Sequence, residues 1–96
     1  MKNILLCFPI NENINNIKKY SDYVLKDGMA SVIPSCFAMT DIEDEEVINQ
    51  SVSSLIWMCD EVWVFGRTIT DEMWENIRKA RKININVRFI SDLQEV

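Results

Sequence analysis

The sequence predicts a single α/β domain of flavodoxin-like or Rossmann-like winding, with a four-stranded parallel sheet in the order 2-1-3-4 and helices on both faces. Three observations lead there. Four short apolar runs, Asn3–Pro9, Met29–Ile33, Glu61–Phe65 and Ile85–Ile90, alternate with three stretches of helical periodicity. The connections between them are short, so each helix is a crossover between parallel strands, and such crossovers are right-handed. Ninety-six residues make one domain with a single two- or three-layer core.

The first run, NILLCFP, is apolar without alternation, as a strand buried on both faces requires. Asn11 or Asn13 can cap the helix that follows, with Glu12 near its positive end. Its inner face is expected at Ile14, Ile17, Ser21, Val24 and Leu25, and Gly28 ends it as a left-handed cap residue. Met29–Ile33 is the second strand, closed by Pro34. The loop from Ser35 to Glu43 carries an apolar patch, Cys36-Phe37-Ala38-Met39, of the kind that packs on its own domain or on a partner subunit. Asp41, Glu43 and Asp44 put negative charge at the start of the second helix, whose core stripe is Ile48, Val52, Leu55, Ile56 and Cys59. Glu61–Phe65 is the central strand. Thr70 or Asp71 caps the third helix, with inner stripe Met73, Ile77 and Ala80 and with Lys79, Arg81 and Lys82 at its negative end.

Composition narrows the function. The net charge is −5 and the pI about 4.6, so the surface repels phosphate backbones and neither nucleic acid nor an anionic membrane is an expected partner. No apolar run approaches the roughly 20 residues that span a bilayer, and the run after Lys2 lacks a cleavage site, so it reads as a strand rather than a signal peptide. The three cysteines, Cys7, Cys36 and Cys59, are widely spaced and read as buried reduced thiols of a cytoplasmic protein. With no histidine, Ser-His-Asp and Cys-His catalysis are excluded, and no metal site is expected.

In open α/β sheets the ligand crevice lies outside the carboxyl ends of the strands, at the point where the strand order reverses. Here that places Phe8, Pro9, Ile10 and Asn11 after the first strand, Ser35 and Cys36 after the second, and Gly66, Arg67, Thr68 and the third helix's start after the third. Two helix N-termini then face one crevice, which suits a polar or anionic small molecule. The first turn reads FPINEN rather than GxGxxG, and GxxxxGK[ST] is absent, so no dinucleotide or ATP cofactor is expected. Arg67 can bind a phosphate or carboxylate, although a loop arginine is more often simply solvated. Asp60 sits at the opposite end of the central strand and reads as a turn or cap, Trp63 as core, and Cys7 as an inert buried thiol. Trp57 and Trp74 lie off the inner stripes, where a large aromatic fits a subunit interface.

These residues carry a resemblance. Cys7 and Pro9, Gly28, Pro34, the run Cys59-Asp60-Glu61-Val62-Trp63-Val64-Phe65-Gly66, and then Thr70, Met73, Ile77 and Ala80 resemble the nucleoside 2-deoxyribosyltransferase-like family, in particular its small bacterial and phage members. The resemblance covers nearly the whole chain and implies one such domain over residues 1–96. It implies a nucleoside, nucleotide or related small molecule as ligand, no cofactor, and a homo-oligomer, dimer or higher, in which a neighbouring subunit completes the pocket. Phe8, Pro9, Asn11, Ser35, Gly66, Arg67, Thr70 and Met73 would bind the ligand.

In active members a glutamate on the helix after the third strand attacks the anomeric carbon, because a carboxylate can form and later break a glycosyl ester. The matching position is Asn76, an amide of nearly the same shape that is no comparable nucleophile. Glu72 stands where the family tends to have glycine, and Phe8 where it has serine. Glu72 is one helical turn before Asn76 and can be read as a displaced catalytic carboxylate, or as a first-turn acid that complements the helix dipole; acids are enriched in first turns for reasons unrelated to catalysis. Glu75 points away from Asn76. The first functional expectation is therefore ligand binding without transfer. The second is an N-glycosidic-bond hydrolase or deoxyribosyltransferase using Glu72, and the third a self-associating interaction module.

Overall fold

The computed structural model describes residues 1–34 and 45–90, without the side chains of residues 45–49. Within them the order is β1 (Asn3–Cys7), α1 (Ile14–Lys26), β2 (Ala30–Val32), α2 (Glu45–Met58), β3 (Glu61–Val64), α3 (Asp71–Lys82) and β4 (Asn86–Phe89). The sheet is parallel throughout, in the order β2-β1-β3-β4, as the pattern of the sequence predicts. The strands are one or two residues shorter than the apolar runs. Phe8 and Phe65 lie beyond the ends of β1 and β3 yet are buried, packed with Ile17, Tyr20 and Trp63, and the Phe65 N–H still donates to the Cys7 carbonyl at 2.8 Å.

The register explains how one sheet serves two cores. Val32, Leu5, Val62 and Val87 are Cα neighbours in one row across all four strands. They pack beneath α2 and α3 against Val52, Ile56, Met73 and Ile77. The next row, Leu6, Trp63 and Arg88, faces the other way, towards α1. One helix must cover that face, and aromatic side chains fill what it leaves. Tyr20 stacks on Phe65 at 4.6 Å, Tyr23 meets Trp63 edge-on at 5.9 Å, and the Arg88 guanidinium lies over the Trp63 ring at 4.8 Å.

The helix ends follow their caps. Asn13, in extended backbone, accepts the Asn16 N–H at 2.8 Å and starts α1. Gly28 follows the last turn at φ +78°, where the left-handed conformation favours glycine. Thr70 caps α3, accepting the Met73 N–H at 3.2 Å while its own N–H reaches the Met73 sulfur at 3.4 Å. Asn84, at φ 62°, turns the chain from α3 into β4, a left-handed position the sequence pattern did not reveal.

The predicted stripe of α3 is the buried one; of the second helix's stripe, Val52, Ile56 and Cys59 (just past the end of α2) are buried and Leu55 is half-buried, while the Ile48 side chain lies outside the described residues. The stripe of α1 requires correction. Ile17, Tyr20 and Val24 are buried, whereas Ile14 and Leu25 are 60% and 54% exposed. At 3.6 residues per turn, Ile14 and Leu25 lie about 90–110° round the helix from the centre of the buried arc. Ser21, half-buried, shares a 2.7 Å hydrogen bond with Ser31 of β2.

At the amino end of the sheet Asp60 accepts the Asn3 N–H at 2.7 Å, the capping role read for it. Next to it, Glu61 accepts from the Trp63 indole at 3.2 Å, Asn86 at 3.3 Å and the Lys2 ammonium at 3.3 Å. The Trp63 bond leads, with the others, in holding the Glu61 carboxyl below the usual glutamate value in spite of partial burial.

Candidate functional site: the crevice at the carboxyl ends of β1 and β3

The strand order reverses between β1 and β3, because α1 leads from β1 towards one edge of the sheet and α3 from β3 towards the other. Their connections meet at this point. Pro9 closes against Gly66: a Cβ built on Gly66 would lie 3.2 Å from the Pro9 Cδ, and Gly66 itself is at φ +108°. Both the conformation and the contact demand glycine. The Pro9 carbonyl accepts the Glu12 N–H at 3.0 Å, so the chain turns tightly into the α1 cap.

One side of the crevice is fixed by a carboxylate. Glu12 Oε1 accepts the Asn13 N–H at 3.1 Å and the Asn16 amide at 2.9 Å, and Oε2 accepts the Tyr20 hydroxyl at 2.7 Å. Partial burial pushes the Glu12 carboxyl up, but the bonds from Tyr20, Asn16 and the Asn13 backbone outweigh it and hold the group below the usual glutamate value. Burial, and then the bond to and charge of Glu12, push the Tyr20 phenol well above its ordinary value. Tyr20 also stands on Phe65, so the hydroxyl that orients Glu12 is anchored in the core under α1. The sequence reading gave Glu12 only a part in the helix dipole. The signal that identifies its larger part is the spacing of Glu12, Asn16 and Tyr20 at i, i+4 and i+8, one face of a helix and its cap.

The predicted site residues fall into three groups. Pro9, Asn11, Gly66, Arg67 and Thr70 lie in the two connections; Asn11 and Arg67 are exposed, and Thr70 is the cap. Phe8 and Met73 belong to the core instead, each 2% exposed, Phe8 beneath α1 and Met73 beneath α3. Neither presents free surface to a ligand in this conformation. Ser35 and the 36–39 patch lie outside the described residues. On α3, Glu72 is exposed in the first turn and Asn76 is half-buried one turn on.

Cys7 lies beneath the crevice rather than in it. It is 6% exposed, and burial pushes its thiol up to about 12, far from the thiolate a nucleophile requires. Among the described residues no three Cys, Asp or Glu side chains converge as a metal site needs. The two connections thus carry two capped helix N-termini, one oriented carboxylate and the exposed side chains of Asn11 and Arg67: hydrogen-bonding and electrostatic chemistry.

A family profile described as a domain of unknown function (DUF7768) matches residues 6–90. The chain belongs to that family. The matched span runs from within β1 to just past β4, so it takes in the end of β1, the other three strands, the three helices and both crevice connections. No curated protein matches the sequence.

Proposed function

We propose that this DUF7768 chain is a nucleoside 2-deoxyribosyltransferase-like protein that binds a nucleoside, nucleotide or related small molecule in the crevice between β1 and β3, without base transfer. The supporting observation is the Pro9–Gly66 contact at the switch point, which brings together the two connections that lead into the capped helix N-termini at Asn13 and Thr70. Donors and positive dipole ends favour the hydroxyl, carbonyl or phosphate oxygens of such a ligand. Glu12, held ionised by three donors, keeps unused lone pairs for a sugar hydroxyl. Asn76 stands at the position of the family nucleophile and Glu72 is solvated, so binding without transfer is the reading this chemistry supports. The buried thiols Cys7 and Cys59 fit a cytoplasmic protein, and a homo-oligomer whose neighbouring subunit completes the crevice fits the family resemblance.

A thermal-shift series over deoxynucleosides, ribonucleosides and their monophosphates tests the proposal. A ligand at a hundred times its Kd stabilises by about 2.7 kcal/mol, a rise in Tm of roughly 10 °C or more in a domain of this size. Absence of a shift with every compound would overturn it. Incubation with a deoxynucleoside and a second free base is expected to give no exchanged product and no free deoxyribose. Exchange lost in Glu72→Gln but kept in Asn76→Ala would establish the catalytic alternative.

A further inference from the structure

A second concavity lies away from the crevice, between the C-terminal halves of α2 and α3. It encloses about 210 Å³ and is lined by Ser53, Ile56, Trp57, Lys79, Lys82 and Ile83. Ile56, 1% exposed, belongs to its floor, while Trp57 is 71% exposed on the rim. Lys79 and Lys82 are three residues apart on α3 and so project from neighbouring turns onto one side of the groove. Among the described residues neither ammonium has an acidic partner. Complementing the helix dipole accounts for lysines at the end of α3, but not for a tryptophan left in water opposite them.

We propose that this groove binds a small anionic molecule with a planar apolar body, the ring lying against Trp57 and the acid group meeting Lys79 and Lys82. Three observations select that class. The volume is below the roughly 300–1,000 Å³ of sites for drug-sized ligands, which limits the guest to one or two rings. Trp57 supplies an exposed π-face for offset stacking, and the stems of both lysines extend the apolar wall. The two cations belong to the basic last turn of α3, with Arg81 between them in sequence, on a chain of net charge −5, so an anion meets local attraction there against the overall repulsion. The site is independent of the crevice, and its failure would leave the function proposed above untouched.

Indole-3-acetate and its neutral isostere indole-3-acetamide, titrated into the full chain and followed by proton–nitrogen correlation NMR, test the proposal. The Trp57 indole N–H and the amides of Ser53 and Ile83 are expected to move together, with the acid bound about tenfold more tightly than the amide, as one charge-assisted contact warrants. Lys79→Gln combined with Lys82→Gln is expected to abolish that preference while the amide still binds, and Trp57→Ala to weaken both ligands. All three side chains are at the surface of α2 and α3, and an unchanged spectrum elsewhere confirms the fold of each variant. Equal affinity for acid and amide, shifts confined to the crevice, or no shift up to the solubility limit of the acid would overturn the proposal. So would Trp57 signals that change with protein concentration alone, which would make the groove a contact between copies of this chain.

Discussion

Tyr20→Phe isolates the device that orients the crevice carboxylate. The substitution keeps the ring and its 4.6 Å stack on Phe65 and removes only the hydroxyl that donates to Glu12 at 2.7 Å. A hydrogen bond to a charged group contributes about 1.5–3 kcal/mol, and the partial solvation of Glu12 argues for the low end, about 1.5 kcal/mol. In a domain of this length that corresponds to a fall in Tm of roughly 6–12 °C at pH 7. The pH dependence identifies the partner. The Glu12 carboxyl is held below its unfolded value, so its stabilisation is complete above the ordinary glutamate range and is lost as pH falls through the folded-state value. Charge-assisted bonds are roughly twice as strong as neutral ones, so the penalty of Tyr20→Phe should fall to about half once Glu12 is protonated. Urea unfolding of both proteins between pH 7 and pH 3 measures this. A penalty independent of pH would refute the pairing, and a penalty near zero at pH 7 would refute the claim that the bond matters at all.

The remaining expectations are more direct. Glu61 is likewise held below its ordinary value, so Glu61→Gln should lower stability at neutral pH and flatten the acid limb of the stability curve, as urea midpoints across the same range would reveal. Gly66→Ala should cost about 2–3 kcal/mol, because strained backbone adds to a 3.2 Å clash with Pro9; Gly28→Ala, with open space around its Cβ, should cost only about 1 kcal/mol. Chemical denaturation ranks the two, and the reverse order would contradict the Pro9–Gly66 contact. Iodoacetamide at pH 8 should leave Cys7 and Cys59 unmodified in the native protein and label both in urea, because each is buried and burial raises each thiol. Peptide mass spectrometry shows which outcome holds.

The strand order was legible because it follows from chain order and handedness. Four apolar runs with three crossovers have few arrangements, and the 2-1-3-4 sheet is the one found. Each cap was narrowed to two residues, Asn11 or Asn13 and Thr70 or Asp71, of which Asn13 and Thr70 are the ones found, and the turn glycine Gly28 was readable. The inner face of α1 was not, because apolar character alone picks Ile14 and Leu25. Tyr20 wins the core since it can bury its ring on Phe65 and still place its hydroxyl on Glu12, a choice that depends on a ring partner more than 40 residues away. The same limit applies to the crevice. Chain order places Pro9 and Gly66 at the switch point, but only their approach in space explains why Gly66 admits no side chain. Phe8 was assigned to the ligand from its place after β1, and Met73, already legible as core from α3's stripe, from the family resemblance; both are buried in the two cores.

The pairing of β1 with β3 has a kinetic consequence. Asn3 and Asp60, joined by a 2.7 Å hydrogen bond at its start, are 57 residues apart in the chain. By contrast β3, α3 and β4 form a unit within residues 61–89. Closing the long loop costs entropy before any contact across the sheet's middle repays it, whereas the carboxyl-terminal unit can assemble locally. During synthesis β1 emerges with four buried positions, Ile4 to Cys7, and has no β3 to pair with until Glu61–Val64 has followed it. The interval in which the nascent chain is most prone to aggregate is therefore set by this one strand pair. Substitutions that slow β3 docking should reduce the yield of folded protein before they measurably change the stability of the finished molecule.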